Sequence, residues 1–246
     1  MPEPDVVAVF DLDGTILASD LVESYLWTRL AGLPYRSWPA ELLDLIGQAP
    51  RYLLAERRDR TRFVHAFLRR YAGTHEDTLR RLVRDAVGDA LLHRVRPEAV
   101  RRIREHRAAG HRTVLVTGTP EPLLAPLRPL FDDIEACRMR TVDGVMTGRV
   151  AAPPVVGAAR ADWLRRYTDE HGLDPTRSYA YADSYSDRAF LEEAGRPCAV
   201  NPDPRLTRHA LRRGWPVVRW GTHTTRRWEA LVTAAALSGP HEKRTQ

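Results

Sequence analysis

Near the start of the chain, Val7-Ala-Val-Phe-Asp11-Leu-Asp13-Gly14-Thr15 sets two carboxylates one residue apart where a short apolar strand runs out. Side chains alternate faces along a strand, so Asp11 and Asp13 share one side, and Gly14 lets the backbone turn sharply after them. One carboxylate can act as a nucleophile while its neighbour handles protons. Two like charges this close call for a counter-ion, and a hard divalent cation with oxygen ligands, most simply Mg2+, is expected. A calcium loop counted from Asp11 needs an oxygen ligand at its fifth place and a bidentate Glu at its twelfth; those places hold Thr15 and Val22, which excludes it. A plain Asp/Gly turn is the remaining simple alternative.

Two more strand ends carry chemistry. After Thr113-Val-Leu-Val come Thr117-Gly118-Thr119-Pro120, read as a hydroxyl and an unhindered N–H before a helix that Thr119 caps and Pro120 begins, an arrangement suited to an anion. After Tyr179-Ala-Tyr-Ala come Asp183-Ser-Tyr-Ser-Asp187. Each has an ordinary capping explanation, but three loaded strand ends in one sheet fit that explanation poorly.

The elements that must position these residues follow from periodicity. From about Ser19 to His93 the apolar spacing is helical throughout, with segments beginning near Asp20, Ala40, Arg60 and Thr78. Beyond it, helices and strands alternate: helix 97–109, strand 113–116, helix from 120, a short strand near Ile134, helix 158–171, strand 179–182, helix 187–194, strand 198–200, helix 205–213 and strand 217–220. A hairpin turning at Asp143-Gly144 interrupts the series. The expected fold is α/β: a doubly wound, Rossmann-like parallel sheet core from residues 1–17 and 94–238, an inserted all-helical cap domain over 18–93, and a disordered tail over 239–246. Ligands of such sheets bind beyond the carboxyl ends of the strands.

The chain has 246 residues, 43% of them hydrophobic, enough for a sizeable core. No apolar run reaches membrane length and no signal-like segment precedes the first strand, so a cytoplasmic protein without membrane partners is expected. Cys137 and Cys198 are the only cysteines, which argues against a disulfide framework or a thiolate zinc site. The formal charge is +6, yet the arginines are interleaved with acids, so nucleic acid is not an expected partner. Lys243 is the only lysine. Motifs for a serine hydrolase elbow, a zinc peptidase helix and a nucleotide-binding P-loop are missing.

Taken together, these motifs resemble those of the haloacid dehalogenase-like superfamily of phosphohydrolases, in the branch that includes phosphoserine phosphatase, over nearly the whole chain. Phe10-Asp-Leu-Asp-Gly-Thr is similar to its first motif, Val114-Leu-Val-Thr-Gly-Thr to its second, Gly157-Ala-Ala-Arg160 to its third and Asp183-Ser-Tyr-Ser-Asp187 to its fourth. The resemblance implies Asp11 as nucleophile, Asp13 as general acid/base, Thr117 and Gly118 at the phosphoryl group, and Mg2+ held by Asp11, Asp13, Asp183 and Asp187. Arg160 stands where the commonest pattern has Lys; it keeps the charge but presents a broad planar fork. Ser186 lies where the branch often has a phosphate-contacting Asn. Asp20 lies where phosphoserine phosphatases have a Glu that holds the substrate's ammonium, with a helix N-cap as the alternative. Glu23, Arg60 and Arg62 are further substrate-binding candidates, each read mainly as a surface residue. The expected substrate is a small polar phosphomonoester, resembling phosphoserine, histidinol phosphate or a specialised metabolite, acted on by a monomer or homodimer. A phosphotransferase using the same aspartyl phosphate and a non-catalytic phosphoryl-binding protein are the alternatives.

Overall fold

The computed structural model describes residues 6–221. The expected tail at 239–246 and the outer ends of the proposed core lie outside the described residues. Strand β1 (Val7–Phe10) is wholly buried and sits inside a six-stranded sheet of order β3-β2-β1-β6-β7-β8. Its companions are β2 (Arg112–Pro120), β3 (Asp133–Cys137), β6 (Tyr179–Ala182), β7 (Arg196–Val200) and β8 (Val217–Val218), and every pairing is parallel. Because β2 and β6 flank β1, the chain winds outward first on one side and then on the other. That reversal opens a crevice at the carboxyl ends of β1 and β6.

Alternation in β1 shows how the sheet is buried on both faces. Ala8 and Phe10 join an apolar layer with Ile103, Leu115 and Leu127, while Val7 and Val9 join another with Val114, Leu164 and Leu191. Phe10 stacks on Tyr181 of β6 with ring centroids 4.6 Å apart. The helices forming these layers are α6 (Pro97–Ala108), α7 (Ala159–Glu170), α8 (Arg188–Glu193) and α9 (Pro204–Arg213).

Between β1 and β2 the chain is helical: α1 (Leu21–Ala31), α2 (Trp38–Arg58), α3 (Arg60–Leu68), α4 (Glu76–Leu82), a π-turn over Val83–Val87, and α5 (Gly88–Leu92). The segment leaves and re-enters the core along paired backbone: Ala18 N–H donates to the Arg94 carbonyl and Arg96 N–H to that of Ile16, both at 2.9 Å. Helix α2 is far longer than its sequence suggests. Gly47 and Pro50 look like breakers, but Pro50 and Ile46, whose carbonyl loses its partner to the proline, both face outward, where water can satisfy that carbonyl. The segment has its own apolar centre of Tyr25, Phe63, Phe67, Leu68 and Tyr71.

Strands β4 (Met139–Val142) and β5 (Val145–Val150) form the expected hairpin. Asp143 and Gly144 both adopt positive φ, 49° and 76°, as a tight two-residue turn requires. The hairpin is tied to the helical segment, since Met146 N–H donates to the Thr74 carbonyl and Glu76 N–H to that of Gly144. Among the described residues no helix is long and apolar enough to cross a membrane.

Candidate active site

Strand β1 delivers Asp11 and Asp13 to the same cavity at its carboxyl end. Asp11 is held by its backbone N–H to the Tyr181 carbonyl at 2.9 Å and by Thr15, whose hydroxyl donates to Oδ2 at 3.2 Å. Gly14 follows at φ +80°, and a Cβ there would lie 2.1 Å from Asp183 Oδ2. Only glycine allows that backbone conformation and that close approach together. Asp13 accepts the Thr119 hydroxyl on Oδ2 at 3.1 Å, while its Oδ1 is buried without a hydrogen-bond partner. A buried carboxyl oxygen without a partner, on a residue that lines the cavity, calls for an explanation, and a role toward a reacting molecule supplies one.

From the end of β6 come Asp183 and, after a short 3-10 turn, the buried Asp187. Asp203 braces this loop: Oδ2 accepts Tyr185 N–H at 2.7 Å, and its own N–H donates to the Asp183 carbonyl. Carboxylate oxygens of Asp11, Asp183 and Asp187 lie within 4.8 Å of one another. Three hard oxygen donors this close suit a divalent cation of the Mg2+ kind, and the geometry of Gly14 exists to admit one of them. Arg160, in the first turn of α7, reaches between the carboxylates, with Nη2 2.5 Å from Asp11 Oδ1 and Nη1 2.8 Å from Asp187 Oδ1. A guanidinium fork can bridge two carboxylates at once.

The electrostatics follow from this crowding. Burial, reinforced by the charge of Asp11, pushes the Asp13 carboxyl up to about 7. Burial and the charges of Asp11 and Asp187 raise Asp183 well above the usual carboxylate range. Asp187 also rises through burial, although Arg160 opposes the shift. Burial works against the charge of Arg160, but Asp11 and Asp187 outweigh it and keep the guanidinium firmly protonated.

Other expected site residues fall in different places. Strand β2 continues to Pro120, so Thr119 caps no helix, and the next segment is a 3-10 helix from Glu121 to Leu130 with no side-chain cap. Pro122, Pro126 and Pro129 remove the N–H groups an α-helix would need there. The anticipated helix N-terminus for an anion is therefore absent. Thr117 is buried, its Oγ1 accepting Thr119 N–H at 3.0 Å, and neither it nor Gly118 lines the cavity. Gly118 is required by packing, because a Cβ would come within 2.7 Å of Val156. Ser186 is exposed and bonds Ser184, the serine that does line the cavity.

Asp20 both lines the cavity and caps α1, its Oδ1 accepting Glu23 N–H at 2.9 Å. Glu23 lies outside the lining and Arg62 is exposed. Arg60, read from sequence mainly as a surface residue, instead lines the cavity opposite Asp13, and the charges of Asp13 and Glu56 overcome burial to raise its pKa. Its place at the start of α3, just after a capping Asp59, gave no sign in sequence of pointing inward. Arg96 is a further lining residue that sequence reasoning missed; Thr15 and Thr119, the braces of the two aspartates, could have been found from their places in the first and second motifs.

Comparison with known proteins agrees with this geometry. The family model described as haloacid dehalogenase-like hydrolase matches residues 8–192. A Streptomyces azureus protein named for inhibition of morphological differentiation is 33% identical over 87% of this chain and 78% of its own length. A probable phosphatase of Mycobacterium tuberculosis is 29% identical over 96% of this chain and 82% of its own. Among solved structures, a Bordetella pertussis protein of unknown function superposes with a TM-score of 0.69 at 26% identity, covering 87% of this chain and 98% of that one. A probable phosphoserine phosphatase from Vibrio cholerae, at 16% identity, shares the fold with a TM-score of 0.63 over 96% of this chain and 68% of that one.

Proposed function

The chain belongs to the haloacid dehalogenase-like hydrolases and is a phosphatase of that family, and from that premise we propose that it hydrolyses a small-molecule phosphomonoester through an aspartyl phosphate on Asp11, with Mg2+ as cofactor. The observation that carries this reading is the pairing of Asp11, braced by Thr15 and Arg160, with an Asp13 whose buried Oδ1 has no partner and whose carboxyl is pushed up to about 7. Asp11 and Asp183, with Asp187 beside them, would hold the cation, which would supply the positive charge an anionic nucleophile needs to meet a phosphate dianion.

Asp11 attacks phosphorus in line, and the bond to the leaving oxygen breaks as Asp13 gives that oxygen a proton. Water then attacks the phosphorus of the acylphosphate. Asp13, now a carboxylate, takes the water proton, and Asp11 is released with inorganic phosphate. Arg160 and Arg60 offset the charge on the equatorial oxygens. Thr117, buried with its Oγ1 accepting Thr119 N–H, supports the threonine that donates to Asp13. We read residues 18–93 as a cap that closes over the crevice and excludes bulk water, and residues 1–17 with 94–238 as the core.

The test is phosphate release from a panel of small phosphomonoesters with Mg2+, with EDTA and with Asp11→Asn. Release that requires the divalent cation and disappears in the variant supports the reading. Equal release with EDTA or from the variant contradicts it.

A further inference from the structure

The cavity beside Asp11 has a volume of about 620 Å³, much more than a phosphate and a three-carbon amino acid would fill. Its two ends differ in chemistry. Strand ends of the core supply Asp11, Asp13, Asp183 and Asp187, and the first turn of α7 supplies Arg160, whereas α1, α2 and α3 supply Val22, Leu45, Ala49, Tyr52, Leu53 and Phe63. On that second wall one oxygen each of Glu56 and Asp20 and the Tyr52 hydroxyl are engaged. Glu56 is paired with Arg60 at 2.5 Å, the Tyr52 hydroxyl donates to Gln48 Oε1 at 2.9 Å, and Asp20 Oδ1 is taken by the N-terminus of α1. Leu53 is 57% exposed while lining the cavity, an apolar surface that a bound molecule would cover.

Against the apolar side chains of this wall, Leu45, Ala49, Leu53 and Phe63, a charged group loses water without gaining a partner, whereas each methylene gains from burial. We propose that the leaving group is an uncharged alcohol with an alkyl or aryl body larger than a serine side chain, a less polar substrate than the sequence suggests; this rests on the phosphatase reading above. The helical wall selects the body, and the aspartates act on the phosphate common to all candidates.

The alkyl series ethyl, butyl and hexyl phosphate keeps the leaving-group chemistry nearly constant, so kcat/KM along it reports the wall alone. We expect a rise of about threefold per methylene, roughly 80-fold from ethyl to hexyl phosphate, with hexyl phosphate above O-phosphoserine. Leu53→Gln, at a half-exposed position that tolerates a polar side chain, lowers the hexyl-to-ethyl ratio several-fold. A flat series, phosphoserine favoured over hexyl phosphate, or a ratio unmoved by Leu53→Gln overturns the inference. Release from p-nitrophenyl phosphate, lost in Asp11→Asn, tests the underlying reading separately; its absence overturns that reading and this inference with it.

Discussion

At the scale of single residues, six carboxylates and three arginines line one cavity, and their roles separate by environment. Burial outweighs the nearby charge of Arg60 and keeps the Asp13 proton on near neutral pH, whereas Asp11 is held by Arg160 and Thr15. Replacing Asp13 with Asn removes the proton donor but not the nucleophile. It should lower kcat by about 10²-fold or more while phosphoenzyme still forms from substrates with acidic leaving groups, which steady-state and quench kinetics can separate. Arg160→Ala leaves Asp11 and Asp187 without their shared cation and should lose most activity; Arg160→Lys keeps the charge and should retain a measurable fraction, read as kcat/KM. The paired aspartates and Asp183-to-Asp187 were legible in the sequence because their types and spacing are confined to a few local positions. The inward turn of Arg60 was not, since only the packing of α3 against the crevice decides it.

At the scale of elements, the turn after β1 is the most constrained piece. Gly14→Ala forces a side chain into a left-handed conformation and onto Asp183, and it should cost about 1–3 kcal/mol together with weakened cation binding, measured by thermal melts with and without Mg2+. Strand and helix alternation, the hairpin turn and the helical insert were visible as periodicity and turn chemistry. Two features were not. The continuation of β2 through Thr117 to Pro120 depends on pairing with β3, which reaches Cys137 opposite Pro120, and the 3-10 helix after it depends on three prolines whose effect on helix type local spacing does not reveal. Helix α2 passes through Pro50 because its outward face leaves the freed carbonyl to solvent, a matter of tertiary placement. Where Asp20 caps α1, Asp20→Ala should destabilise the fold by about 0.5–2 kcal/mol, visible as a lower midpoint in urea.

At the scale of the whole molecule, the doubly wound sheet gathers acidic side chains from β1 and the β6 exit and thereby ties stability to pH and cation. Asp13, about 7 in the fold against an ordinary 3.8, keeps a proton that the unfolded chain has lost. Its stabilising contribution is complete below about 3.8 and is lost as pH rises through about 7; Asp183 and Asp187 act in the same direction. In EDTA the Tm should therefore fall between about pH 4 and pH 7, and Mg2+ should raise it more at the higher pH. The account turns on Asp11 carrying the phosphoryl group. The measurement that tests this most directly is acid-quenched turnover followed by peptide mass spectrometry. We predict one phosphoryl group on the peptide holding Asp11, labile to hydroxylamine and missing in Asp11→Asn; steady turnover with no such adduct, or turnover that survives Asp11→Asn, would contradict it.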